Sequence, residues 1–121
     1  MAKRPNNCGI GPAFEVIGGK WKAVILWELN AGPQRFGALR RRVGAVSEKM
    51  LVQQLRELED DGLVTRTVFA EVPPRVEYAA TALGLGLNVA LGPLADWGER
   101  YERSAAGRRA AKARREARAL T

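Results

Sequence analysis

The sequence predicts a mainly α-helical domain of the α+β class, in which a short turn joins two helices and a β hairpin follows. Residues 35–43 combine apolar and basic side chains at helical spacing, and a turn containing Gly44 separates them from a second helical pattern that begins at Ser47. Two runs of strand-forming residues then occupy positions 63–80, with a Pro-Pro pair between them that cannot donate to a strand ladder. This order of parts is typical of a winged helix-turn-helix with a two-stranded wing.

Two further helices are predicted before this motif. Residues 10–17 are mostly apolar, with Pro12 in the first turn and two glycines after the end, which is the usual asymmetry of helix boundaries. Residues 20–30 carry apolar side chains at helical spacing and are stopped by Gly32-Pro33. We expect residues 1–9 to form a loose N-terminal arm and residues 10–104 to form the folded domain.

The helix that begins at Ser47 has two different faces. Ser47 suits the N-cap position, because its hydroxyl can accept a hydrogen bond from an otherwise unpaired backbone N–H. At 100° per residue, three leucines share the inward side, while basic and amide side chains occupy the outward side of the first turns. A helix that inserts its N-terminal half into the DNA major groove has this polarity. The residues predicted to contact DNA from this helix are Ser47, Lys49, Met50, Gln53 and Arg56.

A last long helix is predicted to begin after Thr81, which can cap it. Its apolar stripe consists of Leu83, Leu87, Leu91, Leu94, Trp97 and Tyr101. Three glycines and Pro93 weaken this helix, so we expect it to be stabilised by burial against a partner subunit. Residues 105–121 are rich in Ala and Arg, and two interpretations are open for them, a frayed helical extension or a disordered basic tail.

Composition limits the class of protein. A chain of 121 residues has the size of one domain, and its net charge of +7 is concentrated near the C-terminus, where residues 108–121 hold six basic residues and one acidic residue. The sequence contains neither an apolar run of membrane-spanning length nor an apolar N-terminal segment, so we expect no membrane partner and a cytoplasmic location. The single cysteine excludes a disulfide within the chain.

Several short motifs follow one another in a fixed order along residues 8–98. They are Gly18-Gly19-Lys20-Trp21, Arg35-Phe36, Ser47-Glu48-Lys49-Met50-Leu51, Leu55-Arg56-Glu57-Leu58-Glu59, Asp61-Gly62-Leu63-Val64 and Val72-Pro73-Pro74-Arg75-Val76-Glu77-Tyr78. The series resembles the HxlR family of MarR-like winged-helix transcriptional regulators. The resemblance implies a homodimer that is joined through its N- and C-terminal helices and binds a pseudo-palindromic operator.

These observations predict a sequence-specific transcriptional regulator that binds double-stranded DNA. The recognition helix, residues 47–61, would lie in the major groove, and the wing, residues 64–80, on the backbone or in the minor groove. Phosphate contacts are predicted for Lys20, Arg35, Arg40 and Arg75. The alternative is a winged-helix module for protein contact, or a thiol-redox adaptor, without specific DNA readout. The arginines clustered on the exposed side of the helix-turn-helix favour DNA.

Regulation by an effector depends on the interpretation of Cys8. Some members of the family that the chain resembles use the matching cysteine as a sensor of electrophiles or oxidants. Lys3, Arg4 and the start of the first helix lie nearby in sequence, and such surroundings lower a thiol pKa and favour the thiolate. The alternative is a small buried side chain. A small-molecule or electrophile effector therefore stays open.

An enzymatic activity is not predicted. The chain has no His, which is the commonest general base and a common zinc ligand. Its single Cys cannot supply the several thiolate and imidazole ligands that a zinc site generally needs. A Gly-rich phosphate loop after a strand is missing as well. We therefore expect no cofactor and no metal.

Overall fold

The computed structural model describes residues 9–120, so the arm before Gly9, including Cys8, lies outside the described part of the chain. The elements are α1 (Ile10–Ile17), α2 (Trp21–Glu28) with a 3₁₀ turn (Leu29–Ala31), β1 (Gln34–Arg35), α3 (Phe36–Val43), α4 (Glu48–Asp60), β2 (Val64–Phe69), β3 (Arg75–Ala80), α5 (Ala82–Arg103) and α6 (Ala105–Ala119). By its internal contacts the chain forms two units, the first ending at Asn88 and the second beginning at Val89.

The strands form one antiparallel sheet in the order β1-β3-β2. Strands β2 and β3 make the predicted hairpin, in which Val64 lies opposite Ala80 and Phe69 opposite Arg75. We call β2, β3 and the connection between them the wing. Strand β1 was not predicted, and it pairs Gln34 with Tyr78 at the other edge of β3. The segment that enters α3 is therefore hydrogen-bonded to the wing.

The core of the first unit lies between α2, α3, α4 and the start of β2. The three leucines that were predicted to share the inward side of α4, Leu51, Leu55 and Leu58, are buried there, which confirms the predicted faces of this helix. The remaining buried apolar residues of the cluster are Ile25, Leu26, Leu29, Leu39, Val46, Leu63 and Val64. Burial of each large side chain contributes about 1.5–3 kcal/mol, so this small cluster holds the helices of the motif in fixed positions.

Both ends of α4 are capped by specific hydrogen bonds. The Oγ of Ser47 accepts a hydrogen bond of 3.1 Å from the backbone N–H of Met50, as the sequence predicts. At the other end Gly62 adopts a positive φ of 78°, and Leu63 donates its N–H to the carbonyl of Leu58 over 2.9 Å. This is a Schellman termination, which favours glycine at that position. The helix therefore begins and ends within one residue of the predicted bounds.

The start of helix α5 is hydrogen-bonded to the turn that ends α4. The Oγ1 of Thr81 donates a hydrogen bond of 2.7 Å to the carbonyl of Gly62 and accepts one of 3.1 Å from the N–H of Gly84. A Cβ atom at Gly84 would collide with the carbonyl oxygen of Leu63. The cap predicted at Thr81 is confirmed, and the glycine that weakens α5 as an isolated helix is what permits its close packing here.

The segment that follows α5 forms a separate helix. The N–H of Ser104 donates to the carbonyl of Tyr101 over 3.0 Å, and the Oγ of Ser104 accepts a hydrogen bond of 2.9 Å from the N–H of Gly107. This cap starts α6. Among residues 9–120, no helix is both long and apolar enough to cross a membrane.

Candidate nucleic-acid interface

The outward face of α4 carries the side chains that were predicted to contact DNA. Lys49, Met50, Gln53 and Arg56 are all exposed, and Val52 beside them is exposed as well. The buried leucines of the same helix fix its rotation, so this face cannot turn towards the core. The arrangement offers an ammonium, an amide and a guanidinium group on one accessible surface, which are groups that recognise base edges and phosphates.

Ser47, which was also predicted to contact DNA, lies at the start of this surface. Its hydroxyl accepts the N–H of Met50 in the helix cap. A hydroxyl keeps a proton to donate while it accepts, so capping leaves Ser47 able to donate to a phosphate oxygen.

The turn between α3 and α4 is held by Arg40. Its Nε donates to the carbonyl of Val46 over 3.5 Å, and its guanidinium lies 3.9 Å from a carboxylate oxygen of Glu48. The side chain of Arg40 is 45% exposed, so it reaches solvent from this position. The predicted phosphate-contacting residue therefore also links α3 to the start of α4.

Arg35 and Lys20 lie on other parts of the surface. Arg35 is exposed on β1, opposite Glu77 of β3. Lys20 precedes α2, and its ammonium lies 4.6 Å from the centre of the Trp21 ring, in a cation–π contact. Both cations are accessible to an anionic partner.

Arg75 is bound within the wing itself. Its guanidinium forms ion pairs of 3.0 Å with Glu71 and 2.8 Å with Glu77, and it lies 3.9 Å from the centre of the Phe69 ring. Only 26% of the side chain is exposed. A phosphate contact by Arg75 would compete with these two carboxylates. The sequence-based prediction did not consider this competition, although Glu71 and Glu77 lie within four residues of Arg75 in the sequence.

Arg66 is a further basic residue, next to the outward face of α4, that was not predicted from the sequence. It lies on β2 opposite Tyr78, and it lines a surface depression together with Val52, Arg56 and Glu59. The depression therefore joins the outward face of α4 to the wing. The signal in the sequence was weak, because the alternation of β2 is imperfect and gives no clear outward side.

An ion pair neutralises one of the carboxylates near the acidic C-terminal end of α4. Lys22 of α2 donates a hydrogen bond of 2.8 Å from its Nζ to Oε1 of Glu57. This hydrogen bond holds the pKa of Glu57 below its ordinary value. Desolvation acts in the opposite direction, while the charge of Lys22 and a hydrogen bond from Gln53 lower the pKa further. The carboxylate that flanks the candidate interface is therefore firmly ionised at neutral pH.

Comparison with known proteins identifies relatives of the chain. The model of the HxlR-like helix-turn-helix family matches residues 16–106. YkvN of Bacillus subtilis (strain 168), an HTH-type transcriptional regulator, is 47% identical over 95 residues, which cover 78% of this chain and 80% of YkvN.

Solved structures agree with this assignment. The crystal structure of the HTH-type transcriptional regulator YtcD is similar with a TM-score of 0.73 and 44% identity, covering 78% of this chain and 97% of that chain. The redox regulator HypR in its oxidised form is similar with a TM-score of 0.70 and 41% identity, covering 77% of this chain and 96% of that chain. The match to the family model includes the helix-turn-helix, the wing and α5. The chain therefore belongs to the HxlR-like helix-turn-helix family and is a DNA-binding transcriptional regulator.

Proposed function

We propose that the protein acts as a homodimer that binds a pseudo-palindromic operator, with α4 of each subunit in the major groove. The observation that carries this proposal is the outward face of α4, where exposed basic and amide side chains are backed by a buried leucine stripe. The N-terminal half of a helix presented in this way fits the major groove of B-DNA.

We assign base recognition to the outward face of α4. Arg56 is suited to guanine and Gln53 to adenine, because each can form two hydrogen bonds with the major-groove edge of that base. Lys49 supplies a donor to guanine or to a phosphate, and Met50 supplies an apolar contact of the kind that a thymine methyl group accepts. Ser47 caps α4 and donates a hydrogen bond from its hydroxyl to a phosphate of the DNA backbone, at the N-terminal end of the helix.

We assign phosphate contacts to the cations around this helix, since such contacts fix the register of a protein on DNA without reading its sequence. Lys20, Arg35 and Arg40 are accessible for this role. Arg75 contributes mainly by holding the shape of the wing through Glu71 and Glu77, and it reaches a phosphate only by exchanging one of these partners.

The proposed dimer is supported by exposed apolar side chains on the terminal helices. In the first unit, Phe14 of α1 and Leu83 of α5 are 61% and 65% exposed. In the second unit, Trp97 is exposed and stacks on Tyr101 of the same helix, with ring centres 5.3 Å apart. Apolar patches of this kind mark protein interfaces, and a two-fold dimer would place two copies of α4 on two half-sites.

Binding to the DNA upstream of the protein's own gene tests this proposal. Affinity is compared with scrambled DNA of equal length across a salt series, and the masses of the free protein and of its DNA complex are measured by light scattering. We expect a dimer that prefers the operator by at least about 10³. A monomer in solution and on DNA would overturn the dimer. Absence of DNA binding even at low salt would instead favour the module for protein contact.

Redox control through Cys8 is a second proposal. Cys8 lies outside the described residues, so its support is the likeness to HypR, whose structures are of a redox regulator in oxidised and reduced forms. In a chain with one cysteine, oxidation can form a bridge between two subunits or an adduct with a small thiol. We expect diamide to change the DNA affinity of the wild type but not of Cys8→Ser. Equal responses of both proteins would overturn the proposal.

A further inference from the structure

Most of the net charge of the chain lies in one helix. Residues 108–119 contain six basic residues and one acidic residue, whereas the rest of the chain contains 14 basic and 12 acidic residues. The basic residues of α6 are Arg108, Arg109, Lys112, Arg114, Arg115 and Arg118. All six side chains are exposed. Helix α6 is therefore a strongly positive surface on a chain whose remainder is close to neutral.

The junction before α6 gives this charge a fixed geometry. Ser104 caps the helix, and a Cβ atom at Gly107 would collide with the backbone of Tyr101 and Glu102, so the first turn of α6 packs directly on the end of α5. The 15 residues of α6 form a rod of about 22 Å at 1.5 Å per residue. The cations therefore project from a straight helix and not from an irregular segment.

The cations cover one broad side of this rod. At 100° per residue, Arg108, Lys112 and Arg115 fall within about 60° of one another. Arg118 and Arg109 lie about 80° and 100° from Arg108 on its two sides, and Arg114 lies about 120° away, at the edge of the opposite side. The opposite side is made of alanines, including Ala113 and Ala117. Glu116 is the one acid, and it lies 4.0 Å from Lys112, so it cannot balance the row.

The chemistry of this surface fits the sugar-phosphate backbone of DNA. A membrane-surface helix needs bulky apolar residues opposite its cations, and α6 has alanines there. Regularly spaced Arg and Lys match a row of phosphates, and duplex DNA carries one charge per about 1.7 Å of axis. The family match ends at residue 106, so nearly all of α6 lies beyond the matched domain.

We propose that α6 is a second DNA-contacting surface that binds phosphates without reading sequence. The inference rests on the proposed function, because α6 is assigned a role that adds to sequence recognition by α4. In this arrangement α4 supplies sequence preference, and α6 supplies affinity and salt dependence. Each phosphate contact contributes about 0.9 to the slope of log K against log salt concentration.

A charge-neutral variant of the full-length protein tests this inference. It carries Arg108→Gln, Arg109→Gln, Lys112→Gln, Arg114→Gln and Arg115→Gln, and glutamine preserves helix propensity. The matched control carries Ala113→Gln and Ala117→Gln on the opposite side. Circular dichroism checks that both variants keep their helix content. Affinities for operator and scrambled DNA are then measured across the salt series.

We expect the charge-neutral variant to lose about 10-fold or more in affinity for both DNAs alike, and its salt slope to fall by roughly 3–4. The control should bind like the wild type. An unchanged slope, or a loss confined to the operator, would overturn the inference. Measurement on scrambled DNA keeps the two proposals separable. A wild-type protein without operator preference would overturn sequence recognition by α4. The slope of log K against log salt concentration on scrambled DNA would still test α6 in that case.

Discussion

The Nζ atom of Lys22 lies 2.8 Å from Oε1 of Glu57, and this ion pair ties α2 to the outward-facing end of α4. The Lys22 side chain is only 8% exposed, whereas that of Glu57 is 41% exposed. Carboxylates near a helix C-terminus are unfavourable for the helix dipole. Lys22 offsets this effect for Glu57, because it brings a buried cation from another helix to the last turns of α4.

Removal of either partner should have unequal effects on stability. Glu57→Ala leaves a buried ammonium without its partner, whereas Lys22→Met keeps the apolar stem and leaves a carboxylate that water can solvate. We therefore expect Glu57→Ala to lower the melting temperature by several degrees and Lys22→Met to lower it less. Thermal unfolding followed by circular dichroism measures both. Equal losses would show that the buried lysine does not depend on its partner.

The same pair predicts a pH dependence. Because the pKa of Glu57 is lowered in the folded state, its contribution to stability is present above the unfolded-state pKa and is lost as the pH falls through the folded-state pKa. The advantage of the wild type over Glu57→Gln should therefore be full at neutral pH and shrink below about pH 4.5. Melting temperatures of both proteins across this range test it. A constant difference at all pH values would contradict the assignment.

Two glycines of α5 should respond in opposite directions to alanine. At Gly84 a Cβ would meet the Leu63 carbonyl, which belongs to the backbone and cannot move aside easily, so we expect Gly84→Ala to destabilise the protein by about 1–3 kcal/mol. At Gly86 nothing lies within 4 Å, so Gly86→Ala should stabilise by up to about 1 kcal/mol through helix propensity. Chemical denaturation measures both, and a stabilising Gly84→Ala would disprove the close approach.

Two variants, one on α4 and one in the wing, should separate recognition of base sequence from general affinity for DNA. Gln53→Ala on α4 should lose about 1–3 kcal/mol of discrimination at one base pair in each half-site. Arg75→Ala should weaken binding to all sequences alike, because it removes the guanidinium that holds Glu71 and Glu77 in the wing. Competition titrations with mutated half-sites distinguish them. If both variants showed the same base-dependent loss, the division of roles between α4 and the wing would be wrong.

Elements with strong local signals were predicted closely from the sequence. Helix α4 has a capping serine at one end, a glycine with positive φ at the other and a leucine stripe between them. Each signal depends on residues a few positions apart, so no knowledge of the fold was needed. The outward positions of Lys49, Gln53 and Arg56 follow from the same stripe, which is why their exposure was predicted correctly.

Features that depend on distant partners were not predicted. Strand β1 is two residues long, and only its pairing with β3 defines it. The Lys22–Glu57 pair joins residues 35 positions apart. Helix α6 left two interpretations open because its alanines form no apolar stripe, although Ser104 was a local capping signal that the sequence-based prediction did not use.

Thr81 makes three hydrogen bonds where α4, the wing and α5 meet. Its Oγ1 donates to the carbonyl of Gly62 and accepts from the N–H of Gly84, and its backbone N–H donates to the carbonyl of Leu63. The base of the wing is thereby clamped to the end of α4. In the proposed complex these bonds oppose movement of the base of the hairpin relative to α4, so we expect any adjustment to the DNA to occur at the far end of the wing, around residues 70–74. If α4 reads the major groove as proposed, the spacing between α4 and the base of the wing would be the same on every DNA site that the protein binds.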